Sequence, residues 1–407
     1  MSDVCVTGLG YVGLPSAAML AARGHQVWGC DTSPAVVAAV NAARPHFQEP
    51  ELATLLEAAV RTGRLAAGPA PRAAAFHLLA VPTPFTAARR PDLSFLHAAG
   101  DAIAPLLRPG DCVIVESTCP VGATEGLAAR LAAARPDLRL PALGQPGEIH
   151  IAHCPERVLP GQAVRELIAN DRIIGGMTPA CAERARTLYE SFATGACLMT
   201  DCRTAEFVKL SENAYRDANI AFANELAGIA QAVGVDVWQA IALANRHPRV
   251  EILRPGAGVG GHCIAVDPWF LVDAAPDAAP LIRAARAVND AKPRQIAARL
   301  RAMAARLKAP RVAVLGLAYK PDIEDLRESP ALSIAEELAA EPGLELLVVE
   351  PHLPALPPCL AGRARHLPLA EALERADILA ILVAHRAFRG LPTEGKMVLD
   401  TVGLLAG

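Results

Sequence analysis

Four residues into the chain, the apolar run Val4-Cys-Val-Thr7 breaks on Gly8-Leu-Gly10-Tyr-Val-Gly13 and gives way to an alanine-rich stretch, Leu14 to Arg23, that Gly24 closes. That order reads as strand, tight turn and helix. A lone G-x-G-x-x-G arises by chance in any glycine-bearing chain, so its neighbours decide. The next apolar run, Gln26-Val-Trp-Gly-Cys30, ends on Asp31. Asp31 stands about 20 residues past the glycines, the spacing at which a carboxylate takes a ribose 2′-hydroxyl. Gly8, Gly10, Tyr11, Val12, Gly13 and Asp31 are therefore candidate cofactor residues, with the pyrophosphate on the free N–H groups of the helix that starts near Val12. An acid at that strand end repels a 2′-phosphate, which favours NAD over NADP.

Further strands are predicted at Phe76–Val81, Cys112–Ser117 and Ile149–His153, with helical runs between them, the alternation of a doubly wound parallel sheet. In such sheets the ligand crevice lies beyond the carboxyl ends of the strands. Thr83, in Pro82-Thr-Pro84, and Thr118, in Ser117-Thr-Cys-Pro120, are placed to face it, as are Glu156 and Arg157 in Cys154-Pro-Glu-Arg157-Val-Leu-Pro-Gly161. A hydroxyl that merely ends a strand, or a surface ion pair, is the plainer alternative.

Thr204 to Val233 carries apolar residues at helical spacing and predicts one long helix that stops near Gly234. Lys209, Asn213 and Arg216 share a face of it. Such a stripe is usually solvated, but this helix is otherwise rich in small apolar residues and leads toward an unusual loop, Pro255-Gly-Ala-Gly-Val-Gly-Gly-His-Cys-Ile-Ala-Val-Asp267. Four glycines in six positions, just before one cysteine, are expensive in backbone entropy unless something comes close to the main chain. The loop follows Arg246-His247-Pro-Arg249, a set of cations suited to a phosphate-bearing ligand.

Arg311-Val-Ala-Val-Leu-Gly316 repeats the strand-then-glycine pattern, with more strands predicted at Leu346–Glu350 and Ile378–Val383. The fold class expected is α/β: two Rossmann-like, doubly wound parallel-sheet domains joined by a long central helix. The division is 1–200 for dinucleotide binding, 201–308 as a helical domain carrying the glycine and cysteine loop, and 309–407 as a second Rossmann-like domain. With 39 basic and 42 acidic side chains the formal charge is −3, so no basic field recruits nucleic acid or anionic lipid. No apolar run long enough to span a bilayer and no signal segment is read, and a cytoplasmic location is expected. Ten cysteines without a C-x-x-C pair suggest reduced thiols and neither a metal centre nor a disulfide framework.

Taken together, Gly8-Leu-Gly-Tyr-Val-Gly-Leu-Pro15, Val81-Pro-Thr-Pro84, Glu116-Ser-Thr118, Cys154-Pro-Glu-Arg157, Lys209 with Asn213, Gly260-Gly-His-Cys263 and Asp325-Leu-Arg-Glu-Ser-Pro330 resemble the nucleotide-sugar 6-dehydrogenases, collinearly over essentially the whole chain. Within that family, Arg157-Val-Leu-Pro-Gly161, Asn245-Arg-His-Pro-Arg249 and the run from His262 to Phe270 are more similar to the UDP-N-acetyl-D-mannosamine enzymes than to the UDP-glucose enzymes. The resemblance implies that NAD oxidises a sugar C6 alcohol twice, to a carboxylate, with Cys263 holding the intermediate aldehyde as a thiohemiacetal and then a thioester. It implies catalytic roles for Lys209, Asn213, Asp267, Glu156 and Thr118. It also implies UDP-sugar contacts at Arg157, Val158, Lys209, Asn213, Arg216, His247, Arg249, Gly260, Tyr319 and Lys320, an NAD contact at Arg327, and a homodimer or higher oligomer built on the central helix.

Three positions depart from the family pattern. Pro160 stands where UDP-glucose enzymes carry a second acid, Val402 where a basic residue often meets the nucleotide, and Ala257 where a proline is common. Competing expectations are a UDP-N-acetylglucosamine or UDP-glucose dehydrogenase, a two-electron β-hydroxyacid-type dehydrogenase that needs no cysteine, and a non-catalytic nucleotide sensor.

Overall fold

The computed structural model describes every residue except Gln48, Ala87, Pro160, His262, Ala406 and Gly407, so the readings made at Pro160 and His262 lie outside the described residues. The chain divides into two compact units, Met1–Ser211 and Glu212–Gly407.

The first unit opens with β1 (Asp3–Thr7), α1 (Gly13–Ala22), β2 (Gln26–Cys30), α2 (Pro34–Asn41), α3 (Leu52–Arg61), β3 (Leu65–Gly68) and β4 (Phe76–Leu79). It continues with α4 (Ser94–Ile103), β5 (Cys112–Val115), α5 (Ala123–Ala134), β6 (His150–His153), α6 (Ala163–Ala169), β7 (Arg172–Gly176), α7 (Pro179–Tyr189) and β8 (Cys197–Asp201). The sheet order is β3-β2-β1-β4-β5-β6-β7-β8. Pairing is parallel except between β6 and β7. Every residue of β4 and β5 is buried, as a parallel sheet covered by helices on both faces requires. The order reverses between β1 and β4, so the turns after those two strands flank the topological switch point.

Helix α8 (Cys202–Val233) carries the chain into the second unit, which adds α9 (Val237–Ala244), α10 (Asp267–Ala274), α11 (Pro280–Ala304), β9 (Arg311–Leu315), α12 (Pro330–Ala339), β10 (Glu345–Val349), β11 (Arg365–His366), α13 (Leu369–Arg375), β12 (Ile378–Ile381) and β13 (Met397–Asp400). Its sheet, β11-β10-β9-β12-β13, is wholly parallel. Within this unit a polar seam joins α8 to α11. Arg286 pairs with Asp217 at 2.6 Å, both fully enclosed, and Asn289 bridges Asp217 and Asn224.

Two sheets with a helical region between them are what the strand patterns predict. The reading passes over β3, β7, β8, β11 and β13. β3 is Leu-Ala-Ala-Gly, without a β-branched residue; β8 leaves Leu198 and Met199 exposed; β11 is two residues long. Predicted strands also run past the observed ends at Leu79 and Val115, because the chain leaves the sheet there to build the turns of the crevice. No described helix is long and apolar enough to cross a membrane.

Candidate active site

The three glycines after β1 are not equivalent. Gly8 has φ +91°, and a Cβ there would stand 2.4 Å from the Ala80 carbonyl oxygen; at Gly13 it would meet the Gly8 carbonyl oxygen at 1.8 Å. Packing alone demands both. At Gly10 a Cβ would meet nothing within 4 Å, so packing does not account for the glycine there, and the bare backbone leaves room for close approach of a pyrophosphate. Val12 is the residue before the first turn of α1, whose opening N–H groups face this turn. The Asp31 carboxylate accepts from Leu9 N–H at 3.0 Å and Ser33 N–H at 2.8 Å, which fixes it beside the turn with lone pairs to spare. The partly exposed Tyr11 ring stacks on buried Phe47 at 4.2 Å. Thr83 is 6 % exposed and its hydroxyl donates to the Thr118 carbonyl at 2.6 Å, so it knits the ends of β4 and β5 together while Thr118 stays half-buried. Turn, acid and helix end suit a dinucleotide.

Beyond β6, Glu156 and Arg157 do not form the surface pair that adjacency suggests. Glu156 accepts the Arg157 backbone N–H at 2.5 Å, and its ion partner is the buried Arg172, at 3.9 Å. The Arg157 guanidinium donates to the Asp171 carbonyl. Val158 packs on the edge of the core. Beneath Glu156 lies Glu116, fully buried, which accepts from the Tyr189 hydroxyl at 2.8 Å. Burial, and then the Glu156 charge, push the Glu116 carboxyl up to about 7 even though Arg172 pulls the other way. Burial and the ammonium of Lys209 hold His153 neutral, down to about 3, which places Lys209, itself 9 % exposed, electrostatically beside the end of β6. One turn before Lys209, the buried Glu206 carboxylate takes the N–H groups of Gly122 and Thr124 and anchors α8 to the start of α5.

In the second unit Cys263 is exposed, whereas Cys5, Cys30, Cys112, Cys119, Cys154, Cys181 and Cys202 are buried. It differs from a core thiol in that respect. Its carbonyl accepts from Val266 and Asp267, so it sits in the turn that opens α10. Asp267 is buried and accepts from the Asn213 amide at 2.5 Å, tying the cysteine turn to α8. On that helix Asn213 lies one turn from Lys209, and Arg216, in line with them, is exposed. His247 and Arg249 are exposed after α9.

The glycine loop turns out to be close-packed for the most part. Its Gly261 N–H donates to the Arg327 carbonyl. A Cβ at Gly260 would stand 2.5 Å from the Glu328 carbonyl oxygen, and one at Gly261, with φ +85°, 2.7 Å from the Tyr319 ring. Gly258 faces Pro330. Segment 319–330 is therefore what three of the four glycines admit, and Gly256 alone among them opens onto space. Tyr319 and Lys320 begin that segment half-buried, and Arg327 pairs with Asp325 at 2.6 Å. Beside Pro255 and Gly256 is a cavity of about 380 Å³ walled by Trp238, Lys292, Arg299 and Thr401. Val402, where a base was a possibility, packs into the core under the second sheet. Asp322, His352 and His385 gather within 4.8 Å. They are knit by hydrogen bonds: His385 Nδ1 accepts from Asp322 N–H, and Nε2 faces Glu350 at 3.1 Å.

Comparison with known proteins bears on this geometry at three places. Residues 2–193 match the NAD binding domain of the UDP-glucose/GDP-mannose dehydrogenase family, 203–291 its central domain and 313–406 its UDP binding domain. The chain is 54% identical over 405 residues to the NDP-N-acetyl-D-galactosaminuronic acid dehydrogenase of Ralstonia nicotianae, covering 98% of this chain and 96% of that one. The chain belongs to the UDP-glucose/GDP-mannose dehydrogenase family. Another member, the UDP-N-acetyl-D-mannosamine dehydrogenase of Yersinia pestis, is 50% identical over 413 residues and 98% of each chain. The solved UDP-D-ManNAc dehydrogenase of Pyrococcus horikoshii superposes with a TM-score of 0.88 at 37% identity, covering 99% of this chain and 96% of that one.

As a member of this family the chain is an NAD-dependent nucleotide-sugar dehydrogenase, and NAD is its cofactor. The family motifs flag Glu116 only as part of Glu116-Ser-Thr118. Arg172, Tyr189, Glu206 and Glu49 carried no signal at all, because each acts from an element or a connection that looks ordinary in the text.

Proposed function

We propose that this enzyme carries out a four-electron oxidation of a UDP-N-acetylhexosamine at C6, giving the uronate, with UDP-N-acetyl-D-mannosamine as the first choice of substrate. One observation carries the reading most: an exposed Cys263 at the head of α10, whose first residue, Asp267, is held by Asn213 of the central helix. NAD, when bound, supplies a hydride acceptor, and each of the two oxidations would use its own NAD. The chain's own residues hold the carbon between those transfers. The Cys263 thiolate adds to the C6 aldehyde to give a thiohemiacetal; oxidation of that adduct gives a thioester, and water releases carboxylate and thiol.

Lys209 and Asn213 are assigned to stabilise the oxyanions, Asp267 and Thr118 to hold the water, and Glu156 to move the proton at hydrolysis. Arg157, Val158, Arg216, His247, Arg249, Gly260, Tyr319 and Lys320 are assigned to the nucleotide sugar, and Arg327 to NAD. The cavity lined by Lys292, Arg299 and Trp238 offers a seat for uridine. An exposed file along α8, Phe207, Tyr215, Phe222, Ile229 and Val233, each more than half exposed, supports a homodimer built on that helix. A cytoplasmic role in surface-polysaccharide synthesis and the three-part division at 200 and 308 belong to the same reading.

A second reading, an N-acetylgalactosamine nucleotide as substrate, is favoured by the likeness to the Ralstonia protein. The test supplies UDP-N-acetylmannosamine, UDP-N-acetylgalactosamine, UDP-N-acetylglucosamine and UDP-glucose in turn with NAD. The highest kcat/KM is expected with the manno sugar and two NADH per molecule. A preference for UDP-glucose, or one NADH per sugar, overturns the proposal.

A further inference from the structure

The connection between α2 and α3 lies against both halves of the first unit's site. Phe47, 6 % exposed, carries the Tyr11 ring of the cofactor turn at 4.2 Å and is met edge-on by His46. Burial holds the His46 imidazole below its ordinary pKa, with the Asp31 charge pulling weakly the other way. Two residues further on, Glu49 is 8 % exposed and spends both carboxylate oxygens on the other loop: Oε2 accepts Gly161 N–H and Oε1 accepts Ala163 N–H, each at 2.7 Å. Next to it Glu51 holds Arg165 at 2.8 Å. Phe47 on the glycine turn and Glu49 on Gly161 and Ala163 therefore tie that turn to the loop that carries Glu156.

The geometry points to Glu49 as a positioning residue. It sets the loop that carries Glu156, Arg157 and Val158, and through Phe47 and Tyr11 it couples the order of that loop to occupation of the cofactor turn. The roles given to that loop rest on the proposed function; the coupling does not. The physical reason is simple. Hydrogen bonds from N–H groups to a carboxylate are charge-assisted and stronger than those between neutral partners. The first part of the loop is held by Glu156 N–H on the Glu116 carbonyl and Leu159 N–H on Glu166; its end, where Gly161 takes φ +89°, is held by Glu49. A ligand that stills Tyr11 also stills Phe47 and, two residues on, the carboxylate that grips the loop. The ordering entropy is then met before the sugar arrives, which gives positive coupling between the two ligands.

The test is amide hydrogen exchange on the full chain with NAD alone, followed by steady-state kinetics on whichever nucleotide sugar is turned over. In wild type, NAD must slow exchange across residues 156–163. In Glu49→Ala those amides exchange faster and NAD no longer slows them; in Phe47→Leu only the NAD effect is lost. Glu49→Gln, which keeps one acceptor oxygen, falls between and guards against a variant that does not fold. With sugar as the varied substrate, Glu49→Ala raises KM at least tenfold with kcat within about threefold, and adding Phe47→Leu to it brings no further increase. NAD protection that survives Glu49→Ala, or is absent from wild type, overturns the proposal, as does an equal loss of NAD and sugar affinity. A sugar panel with no turnover would defeat the proposed function but leave the exchange result to decide this inference.

Discussion

Asn213 donates its side-chain amide to the buried carboxylate of Asp267, and so joins the central helix to the turn that presents Cys263. A buried carboxylate deprived of a donor keeps its desolvation penalty, about 1–3 kcal/mol. Asn213→Ala is therefore expected to lower the melting temperature by several degrees and turnover by about 10²-fold or more, since small misplacements of reacting groups are costly. Unchanged turnover would show that the bond is not part of the site's geometry. Differential scanning calorimetry and NADH kinetics on the same preparation check both halves.

The glycines separate a packing role from a binding role. Gly10→Ala meets no protein atom within 4 Å, so the unfolding free energy should stay within about 0.5 kcal/mol of wild type while the KM for NAD rises at least tenfold. Gly261→Ala meets the Tyr319 ring at 2.7 Å with φ +85° and should destabilise the second unit by about 2–3 kcal/mol. Equal effects of the two variants on stability would contradict the division.

Glu116 predicts a pH dependence of definite sign. Its carboxyl sits at about 7 in the folded protein, above its value in the unfolded chain. Between those two values the unfolded chain has released a proton that the folded one keeps, so this group lowers stability as pH rises from about 4.5 to 7. Glu116→Gln removes the dependence. The variant should match wild type near pH 4.5 and exceed it by about 2–3 kcal/mol at pH 8 in denaturant melts. A gap that is the same at both pH values would place the titration elsewhere.

Arg286 and Asp217 form an enclosed ion pair on the seam between α8 and α11. Removing one partner strands a buried charge, so Arg286→Met should cost about 3–5 kcal/mol. The double variant Arg286→Met with Asp217→Leu should recover most of it. No recovery in urea melts would mean that the pair specifies the seam by more than its charge.

Much of this was legible in the residues because local chemistry dictated it. The glycine triplet before α1, Asp31 at the end of β2 and the 32-residue helix each rest on spacing within one stretch of chain. The exposed thiol was a different matter. Four glycines beside Cys263 suggested a ligand pressed on bare backbone, and three of them answer instead to Tyr319, Glu328 and Pro330, about sixty to seventy residues away in sequence but adjacent in the fold. The same limit hid Arg172 behind Glu156 and Glu49 behind Gly161, since partners brought together by a crossover leave no periodic trace. β7 escaped because Arg172-Ile-Ile-Gly-Gly176 offers only two β-branched residues, between an arginine and two glycines.

The covalent role proposed for Cys263 is tested most directly by counting NADH against sugar consumed in wild type and in Cys263→Ser. Wild type is expected to yield two NADH per UDP-sugar with a carboxylate product. The variant is expected to form no net uronate, because serine's hydroxyl is a far weaker nucleophile than a thiolate near neutral pH. Two NADH per sugar from Cys263→Ser at an undiminished rate would contradict the thioester route.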